Sequence, residues 1–156
     1  MVRAFVGLGS NLGDREGTLR AAVGRLRALP RTHVVAVSTL RDTEPVGELE
    51  QPRFLNGAVA LETELPAREL LDALLELERR FGRDRSAAPP HGPRTLDLDL
   101  LLYGDDRIAE PGLTVPHPRL HERRFVLEPL AELDPSLEVP GKDPVQTLLA
   151  RLHSSP

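Results

Sequence analysis

Cysteine is absent from this 156-residue chain, which excludes a disulfide framework, a thiolate metal site and a cysteine nucleophile. Tryptophan is absent too, and aromatic residues make up only 3% of the sequence, which argues against a stacking platform for single-stranded nucleic acid. No apolar run approaches the roughly 20 residues needed to cross a bilayer. The N-terminus lacks the basic segment and apolar stretch of a secretory signal. The expectation is a cytoplasmic protein. Positive charge is in deficit, with 20 Lys and Arg against 24 Asp and Glu, so bulk attraction to nucleic acid or an anionic membrane is not expected. Lysine is nearly missing: Lys142 stands alone beside the arginines. That preference is either a compositional bias or a set of guanidinium forks suited to phosphate.

What is present reads as one domain over residues 1–156, with no internal repeat and no interdomain linker. Val2 to Leu8 is a β-rich run ending in the turn cluster Gly9-Ser10-Asn11. Leu19, Ala22, Val23, Leu26 and Leu29 recur at helical spacing between about Asp14 and Pro30. Val34 to Leu40 and Phe54 to Thr63 read as strands, joined by a long polar stretch from Arg41 to Arg53. Leu70, Leu74, Leu77 and Phe81 give a second helix an apolar face, with Pro66 at its first position and Gly82 as its stop. After an irregular segment from Arg83 to Pro93, Leu96 to Tyr103 alternates as a strand, and Arg107-Ile108 begins a returning one. Short helices are expected around Glu128–Leu133 and Val145–Leu152. The order strand–helix–strand–strand–helix–strand predicts an α+β, ferredoxin-like βαββαβ core with a largely antiparallel sheet and helices packed on one face.

The sharpest chemical feature is Arg94-Thr95-Leu96-Asp97-Leu98-Asp99. On a strand, positions i and i+2 share a face, so both carboxylates leave one side about 7 Å apart, and Leu96, Leu98, Leu100 and Leu102 leave the other. Two such acids suit magnesium, which takes hard oxygen ligands together with substrate phosphates. The plainer reading is a solvated sheet face bridged to arginines. Arg83, Arg85 and Arg94 lie in the Gly/Pro-rich segment next to the pair, where a loop closing over a triphosphate would need them. A second cluster is Thr114-Val115-Pro116-His117-Pro118, followed by Arg119, Arg123 and Phe125. His117 either donates to a phosphate or braces a turn. The glycines of Gly7-Leu8-Gly9-Ser10-Asn11-Leu12-Gly13 lack the Gly-Lys-Ser/Thr ending of a phosphate loop and read instead as a place of close backbone approach.

Four segments in one order carry a resemblance: Gly9-Ser10-Asn11-Leu12-Gly13, Gln51-Pro52-Arg53-Phe54-Leu55-Asn56, Gly92-Pro93-Arg94-Thr95-Leu96-Asp97-Leu98-Asp99 and Val115-Pro116-His117-Pro118-Arg119. Together the chain resembles the 6-hydroxymethyl-7,8-dihydropterin pyrophosphokinase family of folate biosynthesis, from Val2 to about Leu133. The resemblance implies transfer of the β,γ-pyrophosphoryl group of ATP to the pterin hydroxymethyl oxygen, with release of AMP. It implies two Mg²⁺ held by Asp97 and Asp99, with Arg83 and Arg94 on the phosphates. Arg85 would sit on the closing loop, and Thr114, His117 and Arg123 on the nucleotide side. The pterin would lie between Phe54 and Phe125, with Asn56, Gly9 and the segment Thr43, Pro45 and Val46 around it. A flat polar heterocycle does favour aromatic walls and an amide that both donates and accepts. The chain departs from many relatives in having His91 where they carry a Trp, Pro90 in place of a basic residue, and Glu44 where some have proline.

The expected partners are small molecules only, and a monomer is the default expectation. Two other readings stay open on sequence: a catalytically silent binding module with solvated aspartates, and a two-metal phosphohydrolase acting on another ester.

Overall fold

A computed structural model describes residues 1–43, 53–82 and 96–153. Alternation governs β1 (Val2–Ser10), in which Ala4, Val6 and Leu8 are buried on one face and Phe5 on the other. Helix α1 (Arg15–Arg27) starts where the Asp14 carboxylate accepts the Gly17 N–H at 3.0 Å, and it buries Leu19, Ala22 and Leu26. Strands β2 (Thr32–Val37), β3 (Arg41–Thr43) and β4 (Phe54–Thr63) follow. Helix α2 (Ala67–Arg80) has Pro66 just before its first turn rather than in it. It stops at Gly82, whose φ of +81° is left-handed and whose N–H reaches the Arg79 carbonyl. Strand β5 (Asp97–Tyr103) completes the main sheet.

The sheet runs β2-β4-β1-β5, with β3 continuing along β4, and every pairing is antiparallel. Each half of the repeat, β1-α1-β2 and β4-α2-β5, straddles a strand of the other, which is the split βαβ arrangement of a ferredoxin-like fold. Helices α1 and α2 pack on the face carrying Ala4, Val6, Leu8, Leu61 and Leu98, as the pattern predicts. The opposite face is covered as well. There α3 (Arg124–Leu133) and α4 (Val145–His153) close over Phe5, Ala58, Ala60, Leu101 and Leu102. The expectation of helices on one face therefore describes the βαββαβ core and omits its C-terminal cover.

A bulge in β5 corrects the reading of Leu102. Val6 faces Leu100 while Phe5 faces Leu102, so one extra residue enters β5 and moves Leu102 to the α3/α4 face. Ile108 begins a strand, β6 (Ile108–Glu110), but it turns at Gly112 to pair with β7 (Leu113–Val115) in a separate hairpin. Helix α3 starts four residues before the expected Glu128. Pro129 lies inside it without breaking it, because Val126, Leu127 and Leu130 are buried against the sheet. Among the described residues no helix is long and apolar enough to cross a membrane.

Candidate active site

The floor of the site is built by strand register. Asn56 on β4, Gly9 on β1 and Asp97 on β5 are consecutive partners across the sheet, and Arg41 on β3 extends the row beyond Asn56. The next row is Ala58, Gly7 and Asp99. Residues paired in this way share a face, so both aspartates stand on the α3/α4 side of the sheet, at the end those helices leave open. Between Asn56 and Asp97 the floor has no side chain. A Cβ on Gly9 would lie 2.8 Å from Asn56 Oδ1 and 3.8 Å from the Phe54 ring, so the close approach expected of this glycine is to the Asn56 amide. The Asn56 amide nitrogen donates to the Thr43 hydroxyl, which pins its orientation and brings Thr43 into the same wall. Phe54 pairs with Thr43 at the outer end of β4 and is half-buried.

Asp97 is partly buried and Asp99 exposed. Among the described residues no group of three or more His, Asp or Glu side chains comes together as a metal cage. The donor set is two carboxylates, all hard oxygen. That suits magnesium, which fills its remaining positions with water and phosphate oxygens, and does not suit zinc. The strand between the two acids is held from below by a residue the sequence analysis did not single out. Glu78 of α2 is 3% exposed, and its Oε2 accepts the Leu98 N–H at 2.8 Å. The signal was present, since Glu78 lies four residues after Leu74 and one after Leu77, on the apolar side of α2. An acid there is either costly or bonded.

The remaining expected residues lie on β7 and in the segment after it. The His117 N–H donates to the Leu101 carbonyl at 2.9 Å, anchoring the turn to β5. The ring's Nδ1 accepts the Arg119 N–H at 3.2 Å, which leaves the imidazole proton on Nε2. Burial, with the positive charges of Arg123 and Arg119, holds the His117 pKa below its ordinary value and keeps the ring neutral. The Arg123 guanidinium stands 5.5 Å from the centre of the Phe125 ring. Its Nε is buried with no partner among the described residues, the state of a donor awaiting an acceptor. Phe125 packs on the cluster that contains Phe5, Ala58 and Ala60, so it stands over the same sheet face as Asn56. Thr114 is exposed on β7.

Strand register thus puts Gly9, Thr43, Phe54, Asn56, Asp97 and Asp99 on one sheet face. Phe125 packs on that face with Arg123 beside its ring, and His117 is tied to β5 through Leu101. Pro45, Val46, Arg83, Arg85, His91 and Arg94 lie outside the described residues. An open cavity of about 420 Å³ adjoins Thr43 and Phe54, lined by Asn11, Leu12, Gly13, Arg15, Asp42 and Arg53, and none of the expected substrate contacts lines it. In it Arg15 bonds Asp42 at 2.7 Å and the Arg53 carbonyl at 2.9 Å. These bonds tie α1 to the residues beside Thr43 and Phe54, a bracing role.

Comparison with known proteins identifies the family. The family model described as 7,8-dihydro-6-hydroxymethylpterin-pyrophosphokinase matches residues 5–135. A 2-amino-4-hydroxy-6-hydroxymethyldihydropteridine pyrophosphokinase of Pseudomonas aeruginosa is 46% identical over 148 residues, covering 95% of this chain and 90% of the relative. One from Methylorubrum extorquens is 43% identical, covering 99% and 96%. Among solved structures, a Plasmodium falciparum HPPK-DHPS with SDX-DHP superposes with a TM-score of 0.71 at 12% identity, which shows likeness of fold. This chain spans 44% of that one and 97% of its own length is matched. With the family model covering most of the chain and relatives of near-equal length above 40% identity, this protein belongs to the 7,8-dihydro-6-hydroxymethylpterin-pyrophosphokinase family.

Proposed function

We propose that the chain transfers the β,γ-pyrophosphoryl group of ATP to the hydroxymethyl oxygen of 6-hydroxymethyl-7,8-dihydropterin, giving AMP and the pterin diphosphate. The observation that carries this reading is the row Asn56–Gly9–Asp97, which sets an amide, a bare floor and a carboxylate side by side on one open sheet face. A planar ring resting on Gly9 would have the Asn56 amide at its edge and Phe54 and Phe125 as walls, with Thr43, Pro45 and Val46 closing the rim. The ring's hydroxymethyl arm would then point along the row toward Asp97. In-line attack on the β-phosphorus draws on positioning and charge neutralisation, and no side chain becomes covalently attached.

Asp97 and Asp99 would hold two Mg²⁺, which when bound supply positive charge against the polyphosphate. Arg83 and Arg94 would neutralise the transferred group, with Arg85 closing over the nucleotide. His117 offers its Nε2–H, and Arg123 its orphaned Nε–H, to phosphate oxygens, while Thr114 lines the nucleotide side. Neutral His117 is suited to this role because it donates without giving up a proton. The chain would act as one pyrophosphokinase domain in the cytoplasm, on small molecules rather than nucleic acid or membrane. A monomer suffices, since every group named belongs to a single chain.

The test is to incubate the protein with ATP, Mg²⁺ and hydroxymethyldihydropterin and identify the nucleotide product. AMP with pterin diphosphate is expected, and chelation by EDTA should abolish both. ADP would make it an ordinary kinase, inorganic phosphate from ATP alone a phosphohydrolase, and no turnover a binding module.

A further inference from the structure

Glu132 lies two helical turns beyond Phe125 on α3 and so emerges on nearly the same side of the helix. Its carboxylate makes three bonds to one short segment of the sheet. Oε2 accepts the Thr39 N–H at 2.8 Å and the Thr39 hydroxyl at 3.1 Å, and Oε1 accepts the Arg41 guanidinium at 2.7 Å. That segment is itself fixed. The Ser38 N–H donates to the Ala58 carbonyl, and the Ala58 N–H to the Ser38 hydroxyl, both at 2.9 Å. Arg41 then pairs with Asn56, whose amide holds Thr43. Glu132 therefore grips a point that is rigidly connected to one wall of the pocket, while the helix it belongs to carries the other wall. Within α3 the turn bearing Phe125 is short of a rung, since Pro129 has no N–H to give the Phe125 carbonyl.

We propose that Glu132 is a positioning residue for the pterin: by clamping α3 to Thr39 and Arg41 it sets the gap between Phe125 and the Asn56–Thr43 wall. The inference rests on the pterin reading of the pocket given above. Burial raises the Glu132 pKa, but the Thr39 N–H, the Arg41 guanidinium and the Thr39 hydroxyl outweigh it and hold the carboxyl below its ordinary value. The clamp is thus charged at neutral pH, and charge-assisted bonds are the stronger kind. Glu132 does not touch the substrates. It acts through the spacing of groups that do.

The experiment is steady-state kinetics of Glu132→Ala and Glu132→Gln, with each substrate varied in turn and melting temperatures recorded. In Leu148→Ala, truncated in the α4 packing, any general loss of stability is reproduced with the clamp intact. Glu132→Ala should raise the KM for pterin about tenfold, as a misplaced wall does, and leave the KM for ATP within about twofold. Glu132→Gln, which can still accept the Thr39 N–H, should recover part of the loss, and Leu148→Ala should show no such split. A folded Glu132→Ala with wild-type pterin KM, or with both KM values rising together, overturns the clamp. Should Glu132→Ala not fold, Arg41→Gln decides in the same way, because it removes one arm of the clamp only. Absence of AMP formation by the wild-type protein would instead end the pterin reading, a result separable from failure of the clamp.

Discussion

Each residue of the site is legible to a different degree. Asp97 and Asp99 could be placed on a common face from their spacing alone, because strand periodicity acts within two residues. Their environment could not, since it depends on Gly9 and Gly7 of another strand. On the metal role proposed for it, Asp97→Ala should lower turnover by about two orders of magnitude or more, with a modest change in melting temperature. Wild-type turnover at saturating Mg²⁺ would show that the carboxylate is dispensable. Gly9→Ala probes the floor itself. The added Cβ would sit 2.8 Å from Asn56 Oδ1, so the amide must shift. The expected result is a pterin KM raised about tenfold or more, against a near-constant KM for ATP. Equal binding of pterin by calorimetry would mean that Asn56 does not read it.

Elements decide how the acids are presented. Strand β5 carries them above the α1/α2 core, and a buried carboxylate on α2 holds the strand midway between them. Glu78→Leu leaves the Leu98 N–H without that acceptor in a buried place, which should cost about 1–3 kcal/mol. Activity should fall further than the lost stability explains, with a higher Mg²⁺ concentration needed for half-maximal rate. Glu78→Gln keeps an acceptor and should restore most of the melting temperature. If Glu78→Leu melts and turns over like the wild type, the bond contributes nothing to presenting the acids. At this scale the reading from sequence was good for elements longer than about six residues. It missed β3, three residues long, and β7, and began α3 late. Short polar strands have little pattern of their own; β3 forms because β4 offers it a partner.

For the molecule as a whole, pH tests the account. An unfolded His117 titrates near 6.5, whereas burial and the neighbouring Arg123 and Arg119 depress its pKa in the fold. The unfolded chain therefore takes up a proton that the folded one refuses, and stability should fall as pH drops from about 6.5 toward the folded value. Glu132 is depressed as well, so its stabilisation is present above the ordinary value of 4.5 and is lost as pH falls through the lower folded one. Denaturant melts between pH 3 and 8 should show two descending limbs. His117→Gln should remove the one nearer neutrality and spare the acidic one, and a variant curve superimposable on the wild type would assign that limb elsewhere.

The order of strands and helices, the shared face of Asp97 and Asp99, and the family motifs were all present in the one-dimensional pattern, because each depends on neighbours within a few residues. Which side Leu102 takes, that α3 and α4 cover the second face, and where Glu78 and Glu132 place their carboxylates were settled when distant segments met. A bulge, an inter-strand register and a bond between Leu98 and a helix twenty residues earlier have no local signature. Their energy comes from partners that the chain acquires only on folding.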